Sequence, residues 1–127
     1  MNAFMFLCDQ ETEKECLQGH LFGTTDRNVM WCLEVQPGDD VYLFNYNTGA
    51  VFGPYVATSG ASCHEPTAWH GKFPVQVRVS PKDTTKCAHN GDAAAPAFVK
   101  RKRPSGALGD AANDVLAWIQ NVGIPVQ

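Results

Sequence analysis

The residues of this chain that could do chemistry beyond packing are few, and most are aromatic or cationic. Phe22 stands beside Gly23 in the stretch Leu21-Phe22-Gly23-Thr24-Thr25, and Trp69 stands in a polar stretch between Pro66 and Gly71. Large rings in loops can stack on a flat ligand such as a base, each stack being worth about 1–3 kcal/mol. The same rings could plug the ends of a barrel, and their placement leaves both readings open. Trp31 and Trp118 fall on predicted helices and read as packing residues. Four cations, Lys100-Arg101-Lys102-Arg103, precede the C-terminal helix. A helix dipole does not favour cations at its start, so this run reads either as a solvated loop or as a contact for an anionic partner.

Catalytic signatures are missing. The sequence has no GxGxxG or GxxxxGK[ST] phosphate loop, no GxSxG elbow and no HExxH. Asp39-Asp40 follows a Pro-Gly turn, where solvated acids are the ordinary reading. Cys–His nucleophile pairs stay open, because such partners meet only in the fold. The five cysteines are Cys8, Cys16, Cys32, Cys63 and Cys87. An odd number without a CxxC makes a poor disulfide framework, and four of them lie in or beside apolar runs. Cys63-His64 and Cys87-Ala88-His89 offer zinc-ligand chemistry but lack the paired spacing of a structural site. No metal or cofactor is expected, and an enzyme is the disfavoured reading.

Length and charge bound the rest. The 127 residues suit one domain, 1–127, and 44% hydrophobic with 18% charged residues is an ordinary globular balance. No apolar run approaches the roughly 20 residues that span a bilayer, and the first residues lack a basic leader, so a cytoplasmic protein with no membrane partner is expected. The net charge of −3 is uneven. Residues 1–71 carry nine acids and two bases, whereas residues 72–127 carry four acids and eight bases. A local basic patch on an acidic body suits a few phosphate contacts rather than bulk nucleic-acid coating. The KRKRP run could also act as a nuclear address in a eukaryote.

The elements that would position these residues follow from local patterns. Phe4 to Cys8 reads as a buried strand. Thr12 with Glu15 forms a predicted capping box for a short helix that ends near Gln18, with Gly19 as its stop. Residues 21–25 read as a loop, and Asp26 as the cap of a second short helix holding Val29, Met30 and Leu33. Pro37-Gly38-Asp39 makes a turn before a strand over 41–46, and Asn47-Thr48-Gly49 turns it into a partner strand over 50–58. Gly53-Pro54 marks a bulge or bend in that return. Residues 59–71 read as a loop or single helical turn, and 73–79 as a strand that exposes Gln76 and Arg78. Residues 80–97 read as an irregular loop, and 108–121 as a helix ended by Gly123 and Pro125. The sum is a small α+β barrel.

Several blocks are shared with a known family. Phe6-Leu7-Cys8, Thr12, Glu15-Cys16, Leu21-Phe22-Gly23, Val35-Gln36-Pro37-Gly38-Asp39 and Tyr42-Leu43-Phe44-Asn45-Tyr46 resemble the plant Development and Cell Death (DCD) domain. The strongest stretch runs from Pro66 through Trp69-His70-Gly71-Lys72-Phe73-Pro74 to Gln76-Val77-Arg78-Val79. The same blocks are similar, more distantly, to YTH and EVE domains, and the resemblance implies a PUA-like β-barrel with short flanking helices and a C-terminal helix. Against the YTH aromatic cage, Phe22 and Trp69 hold two tryptophan positions and His64 holds the third. The basic segment there touches RNA phosphates, which Lys100, Arg101, Lys102 and Arg103 match in position.

The resemblance therefore implies a non-enzymatic module that binds RNA or DNA and reads a modified base in a pocket of Phe22, His64 and Trp69. Lys72 and the run Lys100 to Arg103 would touch phosphate. The alternative is a protein-interaction module in stress or cell-death signalling that uses the acidic 9–15 face or a barrel edge. An enzyme of nucleotide or RNA metabolism comes third.

Overall fold

The computed structural model describes residues 2–126. Strand β1 (Ala3–Cys8) is followed by helix α1 (Glu13–Gln18), strand β2 (Leu21–Thr24), a 3-10 turn and the four-residue helix α2 (Val29–Cys32). Strands β3 (Asp40–Asn45) and β4 (Ala50–Ala57) form a hairpin, and β5 (Val75–His89) is the longest strand. A two-residue strand β6 (Gly106–Ala107), helix α3 (Ala112–Val122) and strand β7 (Ile124–Pro125) complete the chain. The strand order is β2-β5-β4-β3-β1-β6, with β7 added beside β5. Among the described residues β1 and β3 run parallel, and the other strand pairs are antiparallel. The expected α+β barrel is thus present as a strongly curled sheet with short helices.

Both faces of the central strands are buried, which explains why AFMFLC and VYLF are apolar without interruption. Phe4, Phe6, Val41 and Leu43 point to the concave side, where they meet Leu21, Phe22, Tyr55, Val77 and the α1 residue Cys16. Met5, Tyr42, Phe44 and Val51 point to the convex side, beneath Val115, Trp118 and Ile119 of α3. The curl brings β2 across from β1, so that Phe22 lies against Phe6 with ring centres 6.0 Å apart. Cys8, Cys16 and Cys32 are buried free thiols that act as small core residues. Burial pushes the Cys32 thiol up to about 12, so it stays protonated at neutral pH.

Four local expectations change. The stretch 21–25 is not a loop over its first four residues: Leu21 to Thr24 pair with Val75 to Arg78. The irregular composition of 80–97 hides a strand, because β5 continues to His89. Between the pairs Tyr55–Pro81 and Gly53–Lys86 the strand bulges, and this bulge carries the loop-like residues 82–85. Thr85 closes it by donating its hydroxyl to Pro54 O at 2.6 Å while accepting the Lys82 amide at 2.7 Å. Gln76, expected at the surface, is buried because its side-chain amide replaces backbone partners. Its Nε2 donates to Glu65 O and Phe73 O, and its Oε1 accepts the Glu65 amide at 2.8 Å. Finally, the capping box does not form. Thr12 Oγ1 accepts the Asp9 amide at 3.0 Å, and Asp9 Oδ1 accepts the amides of Glu11 and Thr12, both at 2.9 Å. Met30 and Leu33, expected on the second helix, lie on its solvent side.

Candidate nucleic-acid interface

Glu15, released from the capping role, holds Trp69 instead. Its Oε2 accepts the Trp69 amide at 3.1 Å, and the indole Nε1 donates to Thr12 O at 3.3 Å. Trp69 and His70 are both left-handed, with φ of 50° and 56°, and Gly71 continues the turn at φ 79°. For the two non-glycine residues that conformation costs about 1–2 kcal/mol each, and the bonds to Glu15 and Thr12 hold Trp69 in it. The turn brings the Trp69 ring against Gly23 of β2. A Cβ on Gly23 would lie 2.8 Å from Trp69 Cζ3 and 2.8 Å from Phe73 Cβ, so only glycine fits at that strand position.

The expected base pocket is not assembled from its three named residues. Phe22 is 0% exposed and packs edge-on against Tyr55 at 5.1 Å, inside the concave core. The alternation of β2 puts Phe22 on the face opposite that of Gly23, whose Cβ direction meets Trp69 and Phe73. Trp69 is 4% exposed and meets Phe73 at 5.2 Å in a T-shaped contact. It is a support behind Gly23 rather than a wall. His64 Nε2 lies 3.0 Å from Ser59 Oγ and 3.3 Å from Gly60 O, tying its own loop together. The alternative left open above, that these rings pack into the barrel instead of lining a pocket, is the arrangement found for Phe22 and Trp69.

A cleft of about 530 Å³ nevertheless opens beside these residues. Its floor is Gly23, Thr24 and Phe73, and one wall is the polar turn Thr25 to Asn28. Asn28 Nδ2 donates to Thr24 Oγ1 at 2.9 Å, fixing that wall to the strand. The opposite wall carries Tyr46, Lys72, Arg103 and Ser105. Sequence reasoning named Lys72 and Arg103 but missed Tyr46 and the 24–28 wall. Tyr46 reads as one more strand residue, and Thr24-Thr25 reads as loop.

The cations are dealt out unequally. Lys72 Nζ donates to Asp9 Oδ2 at 3.0 Å and lies 5.5 Å from the Phe73 ring centre. The Arg103 guanidinium sits 4.9 Å over the Tyr46 ring. Lys100 turns away, donating to Ala93 O at 3.2 Å, and Arg101 covers Phe98 at 4.4 Å. Lys102 is exposed and does not line the cleft. The run expected to act as a block therefore contributes one residue, Arg103, to the side where Lys72 stands. Burial opposes ionisation of Asp9, but the Lys72 ammonium and the Thr12 amide and hydroxyl outweigh it and hold the carboxyl below its usual range. Reciprocally, the hydrogen bond to Asp9 raises the Lys72 ammonium above its usual value, against a smaller effect of burial.

The architecture is thus a curled sheet of the barrel type with a cleft beside β2. Residues 2–93 match the Development and cell death domain family model, and the chain belongs to that family. It is 36% identical over 87 residues to the DCD domain-containing protein NRP-A of Glycine max, which covers 62% of this chain and 24% of that protein. It is 34% identical over 87 residues to the B2 protein of Daucus carota, covering 62% of this chain and 42% of that one. The chain thus spans less than half the length of these relatives. Among solved structures, the YTH domain-containing protein mmi1 in complex with RNA is similar at 17% identity, with a TM-score of 0.49 over 62% of this chain and 53% of that chain.

Proposed function

We propose that the chain is a binding module rather than an enzyme, and that its cleft takes an unpaired nucleotide of RNA or DNA. The observation that carries this reading is the convergence of Lys72 and Arg103, 31 positions apart, on a nucleoside-sized cleft that Arg27 also lines, together with Asp26 and the polar residues Thr25 and Asn28. Cations bind phosphate, while hydroxyl, amide and carboxylate groups such as those of Thr25, Asn28 and Asp26 suit a base edge. The lining contains no histidine or cysteine.

Selection of a methylated or cationic base is not part of the proposal. An aromatic cage works by offering electron-rich faces to a positively polarised group. Here Phe73 already lies near the Lys72 ammonium and Tyr46 lies under the Arg103 guanidinium. A second cation would meet repulsion rather than a vacant face.

Fluorescence anisotropy with labelled ten-nucleotide single-stranded RNA and DNA tests the reading. The wild type is expected to bind at low salt, and Lys72→Ala with Arg103→Ala to lower the slope of log K against log salt by about 1.4, at about 0.7 per phosphate contact. Plain and N6-methylated oligonucleotides should bind within about threefold of each other. An absence of binding at low salt, or a double variant that binds as the wild type does, would overturn the proposal.

A further inference from the structure

The carboxylate of Asp26 has no structural task. Its position suggests a cap for α2, but Asp26 is the first residue of the 3-10 turn, Asp26–Asn28, that precedes that helix. The cap positions belong to Thr25 and Asn28, and neither carries a side-chain capping bond. Asp26 serves the turn through its main chain, whose carbonyl accepts the Val29 amide, and any residue supplies that. Its carboxylate joins no ion pair among the described residues. Among those residues it is also the only carboxylate that lines the cleft. Asn28 adds a second acceptor beside it: Nδ2 is spent on Thr24 Oγ1, which leaves Oδ1 to accept.

Leu7 brings main-chain groups to the same cleft. Asn2 O accepts the Asp40 amide and Cys8 O accepts the Tyr46 amide, so the even-numbered residues of β1 turn their main chain to β3. The odd-numbered residues face the other edge, where Ala3 O accepts the Leu108 amide and Met5 stands opposite Gly106. Continuing that register puts Pro104 opposite Leu7, and proline has no N–H to give. The ladder ends at Met5, and the N–H and C=O of Leu7 are left at the strand edge.

With the cations left to phosphate, the cleft thus holds more acceptors than donors. Guanine is the base that complements this, because its Watson–Crick edge carries two donors, N1–H and the 2-amino group, beside one acceptor, O6. Adenine would turn N1 toward the carboxylate, cytosine N3 and O2, and uracil the two carbonyls that flank N3–H. Each of those meetings sets acceptor against acceptor. We propose, resting on the reading of the cleft as a nucleotide site, that it selects guanine, with the Asp26 carboxylate accepting N1–H and the 2-amino group together.

Anisotropy with labelled decauridylates that carry one central guanosine, adenosine, cytidine or inosine tests this. Inosine keeps N1–H and O6 but lacks the 2-amino group. The wild type should bind the guanosine oligomer about tenfold more tightly than the adenosine or cytidine oligomer, with inosine between them. Asp26→Asn offers one acceptor and a donor, so it should bring guanosine to the level of adenosine. The denaturation midpoint should not change, since the side chain is exposed. Equal binding of all four, a preference for another base, inosine bound as tightly as guanosine, or a guanosine preference that Asp26→Asn retains would each overturn the proposal. When such a result accompanies binding that Lys72→Ala with Arg103→Ala weakens, the nucleotide reading stands and the choice of guanine alone falls. If no oligomer binds at low salt, both fall.

Discussion

A Cβ on Gly23 would meet the Trp69 ring and Phe73 Cβ, both at 2.8 Å, and neither neighbour is free to retreat. Trp69 is fixed by Glu15 and Thr12. Gly23→Ala should therefore lower stability by about 1–3 kcal/mol, read as a fall in the urea midpoint. Trp69→Ala should cost about 3–5 kcal/mol, as for a core tryptophan. A ring acting only as an exposed pocket wall would leave the midpoint nearly unchanged. Asp9 makes a different kind of prediction. Asp9→Asn keeps an oxygen for the Glu11 and Thr12 amides but removes the charge that competes for Lys72. Oligonucleotide affinity at low salt should rise by about threefold or more. The pair also has a pH signature. The depressed Asp9 group contributes stability that is present above the ordinary value of 3.8 and lost as pH falls through its lower folded value. The raised Lys72 group contributes stability that is present below 10.5 and lost as pH rises through its higher folded value. The stability difference between wild type and Asp9→Asn should then be flat from about pH 5 to 9 and vanish in acid, by thermal melts at each pH.

At the scale of elements, β5 is the test of how the sheet curls. Thr85 joins the bulge at 82–85 to Pro54, where β4 bends. Thr85→Val keeps the shape but orphans Pro54 O and the Lys82 amide, and should cost about 1–3 kcal/mol in a denaturant melt. No loss would show that the bulge holds without that bond. This strand is also where the sequence is hardest to read. Lys82, Asp83 and Thr84 have loop composition because the bulge lifts them out of the ladder, so their pattern cannot reveal the strand on either side. The strands β1, β3 and β4 were legible because alternation and unbroken apolar runs reflect burial that the local chain itself determines. Phe22, Trp69 and Gln76 were not legible as core residues, since their burial depends on β2, α1 and the 59–71 segment meeting across the fold. The cleft shared this difficulty. Lys72 and Arg103 could be named from charge, but Tyr46 and the 24–28 wall became partners only through the curl that sets β2 beside the end of β1.

Over the whole molecule, the acids of residues 1–71 and the bases of 72–127 do not separate into two surfaces, because the sheet interleaves them. Lys72 stands on Asp9, and Arg103 crosses the sheet's edge to reach Tyr46. Arg27, Lys72 and Arg103 gather at one cleft, with Asp26 among them. An anionic ligand should therefore be steered to the cleft alone, with association slowed by salt. The most direct measurement of this account is a ¹⁵N–¹H NMR titration of the full chain with a ten-nucleotide single-stranded RNA at low salt. Shifts confined to residues 23–28, Tyr46, Lys72, Phe73, Arg103 and Ser105 are the predicted result; shifts centred on Lys100 to Lys102, spread evenly over the surface, or absent altogether would contradict it.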